Sequence, residues 1–355
     1  ILFETLADLE KAGASAPGKV TYGRHGTPTR FLLEEAVAEL EGGFGTLCVS
    51  SGVAAITNAI LAFVKPGDHI LVTDSTYYPT RNLCNTFLKR FGVETEYYDP
   101  AIGGDIAGLI RDNTALIWCE SPGSVTMEVQ DVPAIVAAAH AYGVSVALDN
   151  TYAAGVLFDA FAHGVDISIQ ALTKYVGGHS DLLLGSVSVR DNSSYAAIGP
   201  VYKQLGLAVS PDDCSLALRG LQTLAVRLDQ LQSSTLTVAE FLSRQNNIET
   251  VFHPAFPSCP GHLLWKRDFT GSASVFSFLF KDNVSAQQVT NFLEALTIFK
   301  LGLSWGGVTS LAVVYPALDR PGQDFGGRLV RLNIGLEAPD DLVEDLRNAI
   351  LTGLK

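Results

Sequence analysis

The chain of 355 residues predicts an α/β fold: a mostly parallel central sheet with helices on both faces, followed by a smaller α+β unit. Three observations carry this. Short apolar runs alternate with helical runs from Thr46 to Lys174, two successive runs lead into a residue able to do chemistry, and no tract is repeated or compositionally biased. With 47% apolar and 17% charged residues the chain is globular, and its length suits about two domains.

From Phe31 to Leu40, Glu34, Glu35 and Glu39 occupy one helical face and Leu33, Ala36, Val37 and Leu40 the other, which predicts an amphipathic helix. The apolar run Thr46 to Val49 leads to Ser50-Ser51-Gly52, which opens a second helix, Val53 to Val64, stopped by Pro66-Gly67. His69 to Thr73 is a strand, Arg81 to Arg90 a helix, and Val93 to Tyr98 and Ala115 to Cys119 are strands. Val132 to Tyr142 is a helix with Gly143 at its C-terminal cap. The β-branched run Val144 to Leu148 ends in Asp149, and Asp166 to Gln170 repeats the strand pattern just before Lys174. A periodic stretch runs from about Ser215 towards Arg244, after which strands such as Ala273 to Phe280 alternate with helices such as Ala286 to Leu296. The last helix, Pro339 to Leu354, opens on proline and carries early acids that suit its dipole.

Composition excludes several classes. Lys and Arg number 24 against 37 Asp and Glu, and the net charge of −13 repels phosphate backbones, so nucleic acid is not an expected partner. No apolar run approaches the roughly 20 residues of a bilayer span. The opening Ile1 to Glu10 carries charges where a signal peptide needs an apolar core, which predicts a soluble cytoplasmic protein with no membrane partner. Cys48, Cys84, Cys119, Cys214 and Cys259 are odd in number and widely spaced, and read as buried thiols. Gly43-Phe-Gly45-Thr-Leu-Cys48 lacks the third glycine of a dinucleotide loop, and GxxxxGK[ST], HExxH and paired CxxC motifs are absent. His25, His163 and His179 lack metal-ligand spacing and read as turn or network residues, so no metal is expected.

In such a sheet ligands collect at the carboxyl ends of the strands. Asp149 ends one strand and Lys174 follows the next, so a desolvated amine can face a carboxylate across one crevice. A buried ion pair would read the same way. Ser51-Gly52 adds backbone amides, a hydroxyl and room for a phosphate, although an ordinary helix cap has the same pattern. Tyr77 and Thr173 add an aromatic face and a second hydroxyl at the same edge. An aromatic aldehyde with a phosphate and a basic ring nitrogen needs these partners, and pyridoxal 5′-phosphate fits that list.

Ser-Ser-Gly-Val-Ala-Ala, Glu120-Ser-Pro-Gly-Ser, Asp149-Asn-Thr-Tyr-Ala-Ala-Gly and Gln170-Ala-Leu-Thr-Lys-Tyr-Val-Gly-Gly-His-Ser-Asp181 resemble the Cys/Met-metabolism family of PLP enzymes across nearly the whole chain. Ser304-Trp305-Gly-Gly and Arg331-Leu-Asn-Ile-Gly-Leu-Glu337 most resemble its cystathionine β-lyase branch. The resemblance implies PLP fold type I, the aspartate aminotransferase-like fold, with an arm over 1–24, a large domain over 25–220 and an α+β domain over 221–355. Because family members begin with a longer arm, the arm here is read as incomplete.

By the same resemblance Lys174 binds the cofactor aldehyde, Asp149 holds the ring nitrogen and Tyr77 stacks on the ring, all three serving catalysis. Ser51, Gly52, Val53 and Thr173 would hold the phosphate, joined by Tyr22 and Arg24 of a neighbouring subunit. Arg331 would take the substrate α-carboxylate, with Ser304, Trp305, Tyr22 and Tyr202 lining the substrate side. A shared site implies a homo-oligomer, with a dimer of dimers favoured. Ala171 departs from the serine many relatives carry there, which implies one phosphate contact fewer. Trp305 reads either as a core tryptophan or as a pocket wall that biases β- over γ-elimination. The implied activity is β-elimination from L-cystathionine to homocysteine, pyruvate and ammonia. Lyases for cysteine, cysteine conjugates or a specialised amino acid, and a catalytically silent PLP-binding regulator, are the alternatives.

Overall fold

The computed structural model describes residues 2–13 and 20–355. Ile1 and residues 14–19, all within the expected arm, lie outside the described residues. Helix α1 (Leu6–Gly13) precedes α2 (Pro28–Glu41), which starts where the Thr27 side chain accepts the Arg30 amide and Pro28 takes the first turn. The chain then alternates through β1 (Gly45–Val49), α3 (Gly52–Phe63), β2 (His69–Thr73), α4 (Tyr78–Asn82), β3 (Glu94–Tyr98), β4 (Thr114–Glu120), α5 (Val132–Ala141), β5 (Ser145–Asp149), β6 (Ile167–Gln170) and β7 (Gly185–Val189). Helices α6 (Asn192–Leu205), α7 (Pro211–Leu221) and α8 (Leu224–Ser243) lead to β8 (Ile248–Phe252), α9 (His262–Asp268) and β9 (Val275–Phe280). Helix α10 (Ala286–Ala295), strands β10 (Lys300–Leu301), β11 (Leu311–Ala317) and β12 (Asp324–Asn333), and helix α11 (Pro339–Gly353) complete it.

The larger sheet runs β1-β7-β6-β5-β4-β2-β3. Strands β2 to β6 pair in parallel, and β7 is antiparallel to both β6 and β1. Alternation of side chains sends Leu71, Ile117, Val146 and Leu148 to the face covered by α5, and Ile70, Val72, Leu116, Trp118 and Ala147 to the face covered by α3. Burying each such aliphatic side chain contributes about 1.5 to 3 kcal/mol. The smaller sheet runs β10-β11-β12-β9-β8 and is antiparallel apart from β10 with β11. The first half of α8 packs Leu224, Leu228 and Leu231 into the core of the larger sheet, and its second half packs Val238, Ala239 and Leu242 against the smaller one.

Several expectations are corrected. Glu34 does not share a solvent face with Glu35 and Glu39: it is buried, paired with Arg30 at 2.7 Å and bonded by the Cys48 amide, because α2 lies against β1. The helix expected at Arg81 starts at Tyr78 and passes into a π-helical turn over Leu83–Leu88. The stretch after Ser215 is two helices, parted at Gln222 and Thr223. The antiparallel β7 carried no expectation, since its alternating Ser and Val side chains are buried on both faces. The five cysteines are buried free thiols. Among the described residues no helix is long and apolar enough to cross a membrane.

Candidate active site

The carboxyl ends of β4, β5 and β6 open into a cavity of about 220 Å³. Ser51, Gly52, Val53, Tyr77, Asp149, Thr173, Lys174, Trp305 and Arg331 all line it, although they lie as far apart in sequence as the two sheets. Lys174 sits in the turn after β6, where its amide donates to the Ala171 carbonyl at 3.0 Å. That turn is pinned to β7: the Thr173 hydroxyl donates to the Leu184 carbonyl at 3.1 Å and accepts the Leu184 amide at 3.0 Å. The same bonds commit the Thr173 hydroxyl to the backbone rather than to the open crevice.

Lys174 Nζ donates to Ser304 Oγ at 2.9 Å and lies 5.2 Å from the centre of the Trp305 ring. Burial first and then Arg331 lower its pKa, Asp149 opposes both, and the net value is about 8. A substantial neutral fraction at physiological pH makes the amine a nucleophile and a base. Gly306 lets the 304–307 loop pass Lys174 closely: its φ is +79°, and a Cβ there would stand 3.1 Å from the lysine backbone. The Gly306 amide donates to Asn333 Oδ1 at 2.8 Å, and the indole of Trp305 tilts against Tyr175 with centroids 5.3 Å apart. Trp305 is thus half-buried on Tyr175 and also part of the cavity wall.

Asp149 Oδ1 accepts the Thr151 hydroxyl at 2.5 Å and the Thr151 amide at 3.1 Å. Burial raises the Asp149 carboxyl, and these two donors and Lys174 work against that rise. Glu120 is its register partner on β4 and lies well above the usual carboxylate range, first because it is buried and then because Asp149 stands beside it. Glu120 Oε2 accepts the Tyr77 amide at 2.6 Å and the Thr76 hydroxyl at 3.2 Å, which fixes the loop that presents the Tyr77 ring. Arg331 reaches in from β12. It is only 7% exposed, it donates to the Leu303 carbonyl, and among the described residues no carboxylate pairs with it. A buried guanidinium without an anion is a ready site for a carboxylate.

Three expected residues do not line this crevice, two of which, Tyr22 and Arg24, were expected there from a neighbouring subunit. Tyr202 is corrected: it lies on α6, buried in the core, with the Arg30 guanidinium 4.8 Å above its ring, because α6 packs against α3 and β1. Tyr22 and Arg24 are exposed, and Arg24 donates to the Lys203 carbonyl at 2.9 Å. Conversely, sequence reasoning assigned no role to Glu120, Thr151 or Tyr152, which line the cavity. Glu120 had the same signal as Asp149, an acid closing an apolar strand.

The donor set fits pyridoxal 5′-phosphate. Ser51 caps α3 by accepting the Ala54 amide at 3.1 Å, which leaves the Gly52 and Val53 amides at the open helix end that favours a phosphate. The backbone there is close to the lysine turn, since a Cβ on Gly52 would stand 2.7 Å from Ala171 Cβ. A depressed lysine, a hydrogen-bonded carboxylate and the ring of Tyr77 face the same space.

Comparison with known proteins agrees with this chemistry. The chain is 45% identical over 339 residues to a cystathionine β-lyase of Escherichia coli, covering 93% of this chain and 86% of that one. It is 42% identical over 359 residues to a cystathionine β-lyase of Haemophilus influenzae, covering 98% and 90%. A crystal structure of cystathionine γ-synthase from Xanthomonas oryzae pv. oryzae in complex with cystathionine superposes with a TM-score of 0.90 at 30% identity, covering 99% of this chain and 91% of that one. The family model of the Cys/Met metabolism PLP-dependent enzymes matches residues 3–351, and the chain belongs to that family.

Proposed function

We propose that the protein is a carbon–sulfur β-lyase that cleaves L-cystathionine to homocysteine, pyruvate and ammonia. The observation that carries this is the buried Arg331, without a carboxylate partner among the described residues, on the same cavity as a lysine of pKa about 8. The likeness to cystathionine β-lyases at 42% to 45% identity supports the choice of substrate.

Lys174, Asp149, Tyr77, Ser51, Gly52 and Val53 would hold pyridoxal 5′-phosphate, which supplies an electron sink for negative charge developing at an amino-acid α-carbon. The two Thr151 donors favour the charged form of Asp149 against burial, and a carboxylate there would favour a proton on the cofactor's ring nitrogen. Tyr77 offers its ring face, and Glu120 holds the amide beneath it. Arg331 takes the substrate α-carboxylate by a charge-assisted contact worth about 1.5 to 3 kcal/mol. Lys174 Nζ, when free, would remove the α-proton, and the Ser304 hydroxyl orients that nitrogen. Trp305 limits the room beside the reacting carbon, which favours loss of a β- over a γ-substituent. Thr173 acts by fixing the lysine turn to β7.

Tyr22 and Arg24 serve the phosphate of a neighbouring subunit; their exposure and their absence from the lining of their own crevice support this, and it makes the active unit at least a dimer. A dimer of dimers and a cytoplasmic location complete the reading. The test is pyruvate release from L-cystathionine, with cysteine and cysteine conjugates in parallel. Lys174→Ala should abolish turnover. Purified protein that shows no cofactor absorbance band and forms no pyruvate from cystathionine overturns the proposal, and a stronger rate on cysteine replaces the substrate.

A further inference from the structure

One wall of the crevice is held in a conformation its residues disfavour. Val125 and Met127 both line the cavity, and both have left-handed backbones, with φ of +69° and +60°. For a β-branched valine this is strained, and strain of this kind persists only where the surroundings over-determine it. From the larger unit, the Ser75 carbonyl accepts the Ser124 amide at 2.7 Å. Within the segment the Gly123 amide donates to the Glu128 carbonyl at 2.8 Å, and from the C-terminal unit the Cys259 thiol donates to the Met127 carbonyl, the Pro260 carbonyl accepts the Val129 amide, and Tyr315 and Leu329 pack beside Val125.

The most connected of these restraints is Arg320, in the loop joining β11 to β12. Its Nη1 donates to Thr126 Oγ1 at 2.8 Å and Glu128 Oε1 at 3.0 Å, and its Nε donates to Asp74 Oδ2 at 3.2 Å. The side chain is 9% exposed, so these contacts are shielded from solvent. Arg81, itself stacked 3.9 Å over the Tyr97 ring, holds the other Asp74 oxygen, and Thr126 donates to the other Glu128 oxygen at 2.7 Å. The hairpin that Arg320 ties down also carries Arg331, whose guanidinium lies 5.4 Å from the Tyr315 ring.

We propose that Arg320 is a positioning residue for substrate binding: it latches the β11–β12 hairpin to the 123–128 wall and so sets the separation between Arg331 and the opposite side of the crevice. This rests on the lyase reading for its substrate. Lys174, Asp149, Ser51, Gly52 and Val53 lie at β5, β6 and α3, outside the latch, and the Tyr77 amide is held by Glu120 rather than by Arg320, so the latch governs capture of the amino acid and not retention of the cofactor.

The experiment compares holoenzyme with Arg320→Ala and Arg320→Lys variants by steady-state pyruvate formation from L-cystathionine, cofactor absorbance, and amide hydrogen exchange. In Arg320→Ala, KM rises about tenfold or more, a loss of about 1.4 kcal/mol, with a smaller change in kcat and an unaltered cofactor spectrum. Amides of 123–129 and of 311–317 lose protection together while those of 167–176 do not. Arg320→Lys keeps the charge without the three-way fork and recovers part of the KM, and it carries the test if the alanine variant fails to fold. A KM within twofold of the parent overturns the latch, as does loss of protection confined to 318–323. If the parent enzyme does not act on cystathionine, the lyase reading fails and the exchange pattern alone decides the latch.

Discussion

Thr151 is the smallest change that probes how the crevice holds its cofactor. Its hydroxyl donates to Asp149 Oδ1 at 2.5 Å and accepts the Ala171 amide at 2.9 Å, so one oxygen joins the carboxylate to the start of the lysine turn. Thr151→Val keeps the shape and removes both bonds. A hydrogen bond to a charged group is worth about 1.5 to 3 kcal/mol, and Thr151 is only 7% exposed, so water does not replace it. Without that donor, burial raises the Asp149 carboxyl further and weakens its hold on a protonated ring nitrogen. At about 1.4 kcal/mol per factor of ten, cofactor affinity should fall roughly 10- to 100-fold. The orphaned Ala171 amide should also lower the melting temperature of the apo-protein. The assay is titration of apo-protein with pyridoxal 5′-phosphate, followed by absorbance and protein fluorescence, with Thr151→Ser as the control that restores the hydroxyl. A folded valine variant that binds the cofactor within twofold of the parent would refute the role given to this bond.

Three further outcomes are expected. Because burial and Arg331 place the free Lys174 amine near pKa 8, capture of pyridoxal 5′-phosphate by apo-protein should accelerate as pH rises through about 8; stopped-flow rates that climb only near the ordinary lysine value contradict it. Arg24→Ala and Lys174→Ala, each inactive or weakened alone, should regain activity when mixed, since one site of a hybrid dimer has both residues; no recovery after verified subunit exchange removes the shared site. Burial lowers His253 to about 4, so between pH 6.5 and 4 the unfolded chain takes a proton that the folded one refuses. Stability is therefore full above pH 6.5 and falls as pH drops, by up to about 1.4 kcal/mol per unit, and His253→Asn should flatten that slope in urea melts between pH 6.5 and 5.

What the sequence determined by itself is local. The apolar runs His69 to Thr73 and Val144 to Leu148 could pack only as buried strands, and an acid closing the second placed Asp149 at the crevice, because alternation and strand ends are properties of a few adjacent residues. The helix beginning at Ser51 was legible from its cap. Tertiary structure decided the rest. Ser304 meets Lys174 across 130 residues of chain, and Arg320 meets Asp74 across 246. Glu34 is buried where its helical face suggested solvent, and Tyr202 turns into the core where family resemblance put it at the substrate. Glu120 and Asp149 become neighbours only through the register of β4 with β5, and that proximity adds to the upward shift of the Glu120 carboxyl. The physical reason is range: propensity and hydrophobic period act within an element, whereas the environment of a charge depends on what the packing of two sheets carries to it and on how much water that packing removes.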